Sequence, residues 1–121
     1  MWNVELNDGE TTFRGKLQVF GQPAAGNMYI GTLDLTYTYK GQMKQVRENA
    51  NIEVTGNQVQ VICSNPHFLR GSGSYDADNF YFTMSSPTQF SGRSSDTSRG
   101  GGSARMWAST EQAIVTPPSG R

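Results

Sequence analysis

GTLDLTYTYKG, Gly31 to Gly41, is the stretch on which the fold turns. Leu33, Leu35, Tyr37 and Tyr39 share one face of an extended chain, and Thr32, Asp34, Thr36 and Thr38 share the other. A strict period of two with β-branched residues on the polar face predicts a strand. The same period spreads outward in both directions. Phe13, Leu17 and Val19 alternate in TTFRGKLQVFG, together with Gly15. In NIEVTGNQVQVIC, Ile52 and Val54 match Val59, Val61 and Cys63 across a Gly56-Asn57 turn. Phe80, Phe82 and Met84 alternate after a four-residue turn at Asp76 to Asn79, and Met106 and Ala108 alternate with Arg105 and Trp107. The best helical window, KQVRENA (Lys44 to Ala50), reads equally well as the continuation of a long strand.

Turn residues separate these runs at spacings of mostly about 8–16 residues, which predicts a meander of hairpins rather than βαβ units. About eight strands are expected, and their apolar face must be buried by a closed barrel or by a two-sheet sandwich. A recurrent element favours the barrel. FRGKL, YIGTL, YKGQM, LRGSG and FSGRS each place a large residue two positions before glycine, at Gly15, Gly31, Gly41, Gly71 and Gly92. Glycine inside a strand marks a bend, a bulge or the close approach of another backbone. Bends repeated around a sheet are what closure requires. The intervals of 16, 10, 30 and 21 residues are too irregular for a solenoid or propeller. The expected fold class is all-β, a single antiparallel up-and-down barrel over residues 1–109, with a loosely held tail over 110–121.

The 121 residues suit one domain. Only 35 % are hydrophobic, so the core must lean on aromatics, which reach 11 %, and on methionines. Ten basic and ten acidic residues cancel, and they also balance in each half of the chain. That leaves no basic face for nucleic acid or an anionic membrane. No apolar run approaches the length of a membrane-spanning helix. MWNVELNDGE lacks the charged start and apolar centre of a signal peptide. The protein is therefore cytosolic, or its signal has been removed; its Gly/Ser/Thr-rich composition leans towards the periplasm or secretion.

Composition also bounds the chemistry. One histidine and one cysteine cannot build a Cys₄, Cys₂His₂ or His₃ centre, so no metal or other cofactor is expected. YDADNF, Tyr75 to Phe80, offers Asp76, Asp78 and Asn79 but lacks the glycine and closing glutamate of a calcium loop, and reads as a hairpin turn. Cys63 ends an alternating apolar run and reads as a small buried hydrophobe. His67, in SNPHF, follows a proline and is expected in an exposed loop. There is no G-x-S-x-G elbow. Glu48 and Glu53 fall on opposite faces by parity, and Asp34 sits on the threonine face, where solvated charge is expected.

The stretch GRSSDTSRGGGSARMW, Gly92 to Trp107, sets Arg93, Arg99 and Arg105 around three glycines. Backbone N–H groups and arginines could there grip an anion. Trp2, Tyr37, Tyr39, Phe80, Phe82 and Trp107 either line a cavity or fill the core. The plan resembles calycin-like barrels, lipocalin-like and avidin-like, without a motif of either: MWN carries a tryptophan but not the preceding glycine of the lipocalin G-x-W. The leading functional expectation is non-enzymatic binding of a small, partly apolar or anionic ligand, or of a protein surface. Tyr37, Tyr39, Phe82 and Trp107 would stack, and Arg93, Arg99 and Arg105 would hold negative charge. An interaction protein is the alternative, such as an inhibitor or homo-oligomeric subunit using Ala113 to Val115 as an added strand. A metal-independent lyase or isomerase with Asp34 or Asp96 as base is a third class.

Overall fold

The computed structural model describes residues 1–20, 26–95 and 102–109. Eight strands follow one another: β1 (Trp2–Asn7), β2 (Thr12–Val19), β3 (Met28–Tyr39), β4 (Gln42–Thr55), β5 (Gln58–Arg70), β6 (Asn79–Ser86), β7 (Gln89–Ser95) and β8 (Gly102–Ala108). Each is antiparallel to the next, and β1 also pairs with β8, from Trp2 opposite Ala108 to Asn7 opposite Ser103. The sheet is therefore a closed up-and-down barrel, not a sandwich. Closure satisfies the ladder hydrogen bonds of both outer strands and removes the edges that invite association.

Alternation puts one face of every strand inside. Leu33, Leu35 and Tyr37 are buried, and so are Val46, Ala50 and Ile52 on β4, Val59, Val61 and Cys63 on β5, and Phe80 and Phe82 on β6. They form one core with Val4, Leu6, Phe13, Leu17, Ala104 and Met106. Fully burying each of the larger ones stabilises the fold by roughly 1.5–3 kcal/mol. Val54 pairs with Val59 and Ile52 with Val61 across the Gly56-Asn57 hairpin, as the sequence predicts, and Cys63 pairs with Ala50. KQVRENA lies wholly within β4.

Gly15, Gly31 and Gly92 are corners. A Cβ on Gly15 would run into the carbonyl oxygen of Asp34 on β3, one on Gly31 into that of Gln18 on β2, and one on Gly92 into that of Tyr81 on β6. Neighbouring backbones there come closer than any side chain allows. Gly102, at the start of β8, is a fourth such position, against Asn7. The expectation of corners does not extend to Gly41 and Gly71. Gly41 (φ +77°) closes the β3–β4 hairpin, and Gly71 (φ +86°) begins the β5–β6 connection. A left-handed backbone, not a close approach, accounts for glycine at these two positions.

Two further expectations change. His67 is exposed, as expected, but lies in β5 opposite Arg47 rather than in a loop. Its strand carries two register shifts against β4, between Gln45 and Val46 and between Arg47 and Asn49. Asn65 has φ +53° within the second, and Pro66 beside it has no N–H to give to the ladder. The YDADNF segment is not a tight turn either. β5 runs to Arg70, and residues 71–78 form a connection whose end, Asp78, is buried. Residues 110–121, read as a tail, lie outside the described residues. Among the described residues, no helix is long and apolar enough to cross a membrane.

Candidate functional site

The two ends of the barrel are built differently. One end holds the start of β1, the start of β3, the Gly56-Asn57 turn and the Pro87-Thr88 turn. Half-buried apolar side chains stand on the core here: Trp2 (β1), Val19 (β2), Tyr29 (β3), Val54 (β4) and Phe90 (β7). All five come from strands. The Trp2 and Phe90 rings meet edge to face with centroids 5.5 Å apart. Met84, opposite Phe90 and in phase with Phe80 and Phe82, is 39 % exposed. Phe82 lies below, fully buried and stacked on Phe80 at 5.6 Å and 9°. Backbone bonds from Met84 N–H to Asn57 O and from Ala108 N–H to Thr88 O fix the rim. Strands thus hold partly exposed aromatics above the buried Phe80–Phe82 stack.

At the other end, residues 71–78 fold over the barrel. Tyr75 packs against Phe13, Tyr37 and Phe68, with ring centroids 6.3, 5.7 and 6.4 Å away. Phe13 and Tyr37 are themselves 4.7 Å apart. Below them lies a buried polar cluster. The Tyr75 hydroxyl donates to Asp78 Oδ2 at 2.7 Å, and the Asp78 backbone N–H donates to Glu48 Oε1 at 2.9 Å. The Cys63 N–H donates to the Asp78 carbonyl at 2.9 Å. Glu48 has no solvent exposure, and its Oε2 has no hydrogen-bonding partner. Burial, and then the Asp78 carboxyl beside it, push the Glu48 pKa up to about 10. Burial also pushes the Cys63 thiol and the Tyr75 phenol up, Glu48 and Asp78 adding to each. Each shift favours the neutral form of its group.

Six of the seven residues singled out in the sequence are described, and these six are spread over both faces. Tyr37 and Phe82 point inside, Tyr37 under Tyr75 and Phe82 near the Trp2 end. Tyr39 is exposed on the rim of the Tyr75 end, with the Lys40 and Lys44 ammonium groups each 5.4 Å from its ring. Arg93 lies over the exposed Tyr81 ring on the outer surface, at 5.8 Å. Arg105 lies over Trp107 at 4.6 Å and pairs with Glu5 at 2.9 Å. Arg14 pairs with the same carboxylate at 2.7 Å, and with Arg105 it holds the Glu5 carboxyl below its ordinary value. Arg99 lies outside the described residues, as does Asp96. Asp34 accepts from Arg47 Nε and Nη2 at 2.7 and 2.9 Å on the outer face.

The buried cluster was missed in the sequence, although a signal exists. Glu48 is in phase with Val46, Ala50, Ile52 and Val54, so strand parity alone places its carboxyl inside. Asp78 and Tyr75 carry no comparable signal, because they belong to a connection without a period. Among the described residues, no group of three or more His, Cys, Asp or Glu is placed to hold a metal ion.

No protein-family model matches the chain, and no curated protein matches it in sequence. Solved structures do match in fold. One is a redesigned β-barrel, mFAP1, bound to DFHBI: TM-score 0.59, 17 % identity, 89 % of this chain and 91 % of that chain covered. Another is EF1p2_mFAP2b bound to DFHBI: TM-score 0.60, 15 % identity, 89 % and 90 % covered. Identity this low carries the barrel fold and nothing finer.

Proposed function

We propose that this barrel is a non-enzymatic binder of a small, mainly apolar ligand, seated at the Trp2 end. The observation that carries this reading is the set of half-buried side chains Trp2, Tyr29, Val54 and Phe90 above Phe82. Aromatics left partly wet at the end of a strand-walled lumen gain by covering themselves with a flat apolar molecule. The barrels of the same fold that were solved bound to DFHBI support it by showing that such a scaffold accommodates a small ligand. Of the residues first singled out, Phe82 belongs to this site as its floor. Arg93 and Arg105 would act only on ligand groups that reach the outer rim.

The test is a titration of the Trp107→Phe protein with 8-anilinonaphthalene-1-sulfonate, following emission from Trp2. Saturable one-to-one quenching is expected, weakened about tenfold or more by Phe90→Ala while the protein stays folded. Quenching that is indifferent to Phe90→Ala would remove the site from this end.

A further inference from the structure

The connection 71–78 brings a second acidic group into a barrel that already contains one. We propose that Glu48 and Asp78 share a single proton, Glu48 Oε2–H donating to the Asp78 carboxylate, and that this bond latches residues 71–78 as a pH-released stopper of the barrel.

Two independent features require one proton at this place. The Glu48 and Asp78 carboxyls lie side by side inside the protein, where two negative charges in contact are strongly unfavourable. Glu48 Oε2 is also buried with no group donating to it, which costs about 1–3 kcal/mol for a polar atom and more for a charged one. A proton on Oε2 answers both. It cancels one charge and turns an orphaned acceptor into a donor beside the other carboxyl. The Asp78 carboxylate is then held by that proton and by the Tyr75 hydroxyl. The bond ties β4 to the far end of the connection.

The segment is built to swing. Gly71 (φ +86°) and Gly73 (φ +133°) provide a glycine hinge where it leaves β5. Between hinge and latch it is fastened at the surface by Lys44 Nζ, which donates to Ser72 O at 2.7 Å. Tyr75 is the stopper itself, seated on Phe13, Tyr37 and Phe68. The titratable groups facing the pair are Cys63 from β5 and Tyr75 from the segment, with Tyr37 from β3 beyond Tyr75. Loss of the shared proton leaves two adjacent buried carboxylates. The least disruptive relief is for Asp78 to leave with its segment, which uncovers the aromatic seat and Cys63.

Cys63 is the sole cysteine and a ready reporter. Its labelling by 5,5′-dithiobis(2-nitrobenzoic acid), divided by the rate of the unfolded chain at the same pH, measures opening. From about pH 6 to about pH 9 the normalised rate should rise by up to about tenfold per pH unit, the limit for release of one proton. Glu48→Gln donates an N–H without titrating and should abolish the slope; Asp78→Asn removes the second charge and should lessen it, burial of Glu48 remaining. The wild-type infrared spectrum at neutral pH should show the carbonyl stretch of one neutral carboxylic acid, persisting through that range and fading only as pH approaches about 10. Absence of that band overturns the proposal, even if both variants fail to fold. So does an unchanged slope in either folded variant, or a rate that follows global unfolding in urea at every pH.

Discussion

At the Tyr75 end the barrel is covered by its own chain: eight residues between β5 and β6 bring in a phenol, a carboxyl and the hydrogen bonds that hold them. At the Trp2 end the half-buried apolar groups all stand on strands and retain solvent exposure. The strands and core are common to both ends; what differs is the chemistry of covering. Tyr75 illustrates what the lumen accepts, an aromatic ring packed among aromatics with its polar edge satisfied. The Trp2 end offers a similar aromatic lining without such a ring from the described chain. Among the described residues, then, one end has an internal occupant and the other strand-borne aromatics, the asymmetry on which the proposed ligand entry rests.

The largest effects should fall on what the two ends share. Gly15→Val forces a side chain into the Asp34 carbonyl at a corner of the sheet. A loss of more than about 3 kcal/mol, read as failure to fold or a collapsed urea midpoint, is expected. Phe80→Ala removes a fully buried ring from the middle of the barrel and should cost about 3–5 kcal/mol by the same assay. Near-normal stability in either variant would mean that closure or core packing has been misassigned.

The next effect separates the ends. The folded-state pKa of Glu48 is raised from its ordinary value of 4.5 to about 10. Between those values the folded protein keeps a proton that the unfolded chain has released. The neutral acid therefore contributes fully below the unfolded value, and stability declines as pH rises towards the folded one. The decline is at most about 1.4 kcal/mol per pH unit from this group. Glu48→Gln should remove this slope and, at pH 8, unfold at a higher temperature than the wild type. Phe90→Ala, at the opposite end, should leave the slope intact. Its stability loss should be only about 1 kcal/mol, because the ring is half-exposed, while ligand affinity falls far more. The smallest effect belongs to the outer face. Arg105→Ala loses an exposed ion pair and a stacked contact with Trp107, and should shift stability by less than about 1 kcal/mol.

The architecture was legible because it is written in parity. Leu33, Leu35 and Tyr37 announce an inner face, and Gly15, Gly31 and Gly92 announce where the sheet must bend. The proposed binding surface was less legible for a physical reason. Side-chain type does not reveal which way a strand faces: Arg93, Arg105 and Trp107 suit a ligand chemically but stand on the outer face, away from Tyr37 and Phe82. The buried pair was hidden differently. Glu48 could be placed inside by phase, but its partner arrives from a connection 30 residues later whose path only tertiary packing determines.

The most direct test is amide chemical-shift mapping of the protein with 8-anilinonaphthalene-1-sulfonate at neutral pH. Binding at the strand-lined end should move signals at the start of β1 and β3, around the Gly56-Asn57 turn and from Met84 to Phe90. Residues 71–78 should remain still. Shifts centred on 71–78 or on the Arg93–Tyr81 surface, or none at saturating probe, would contradict the assignment of the binding mouth to the Trp2 end.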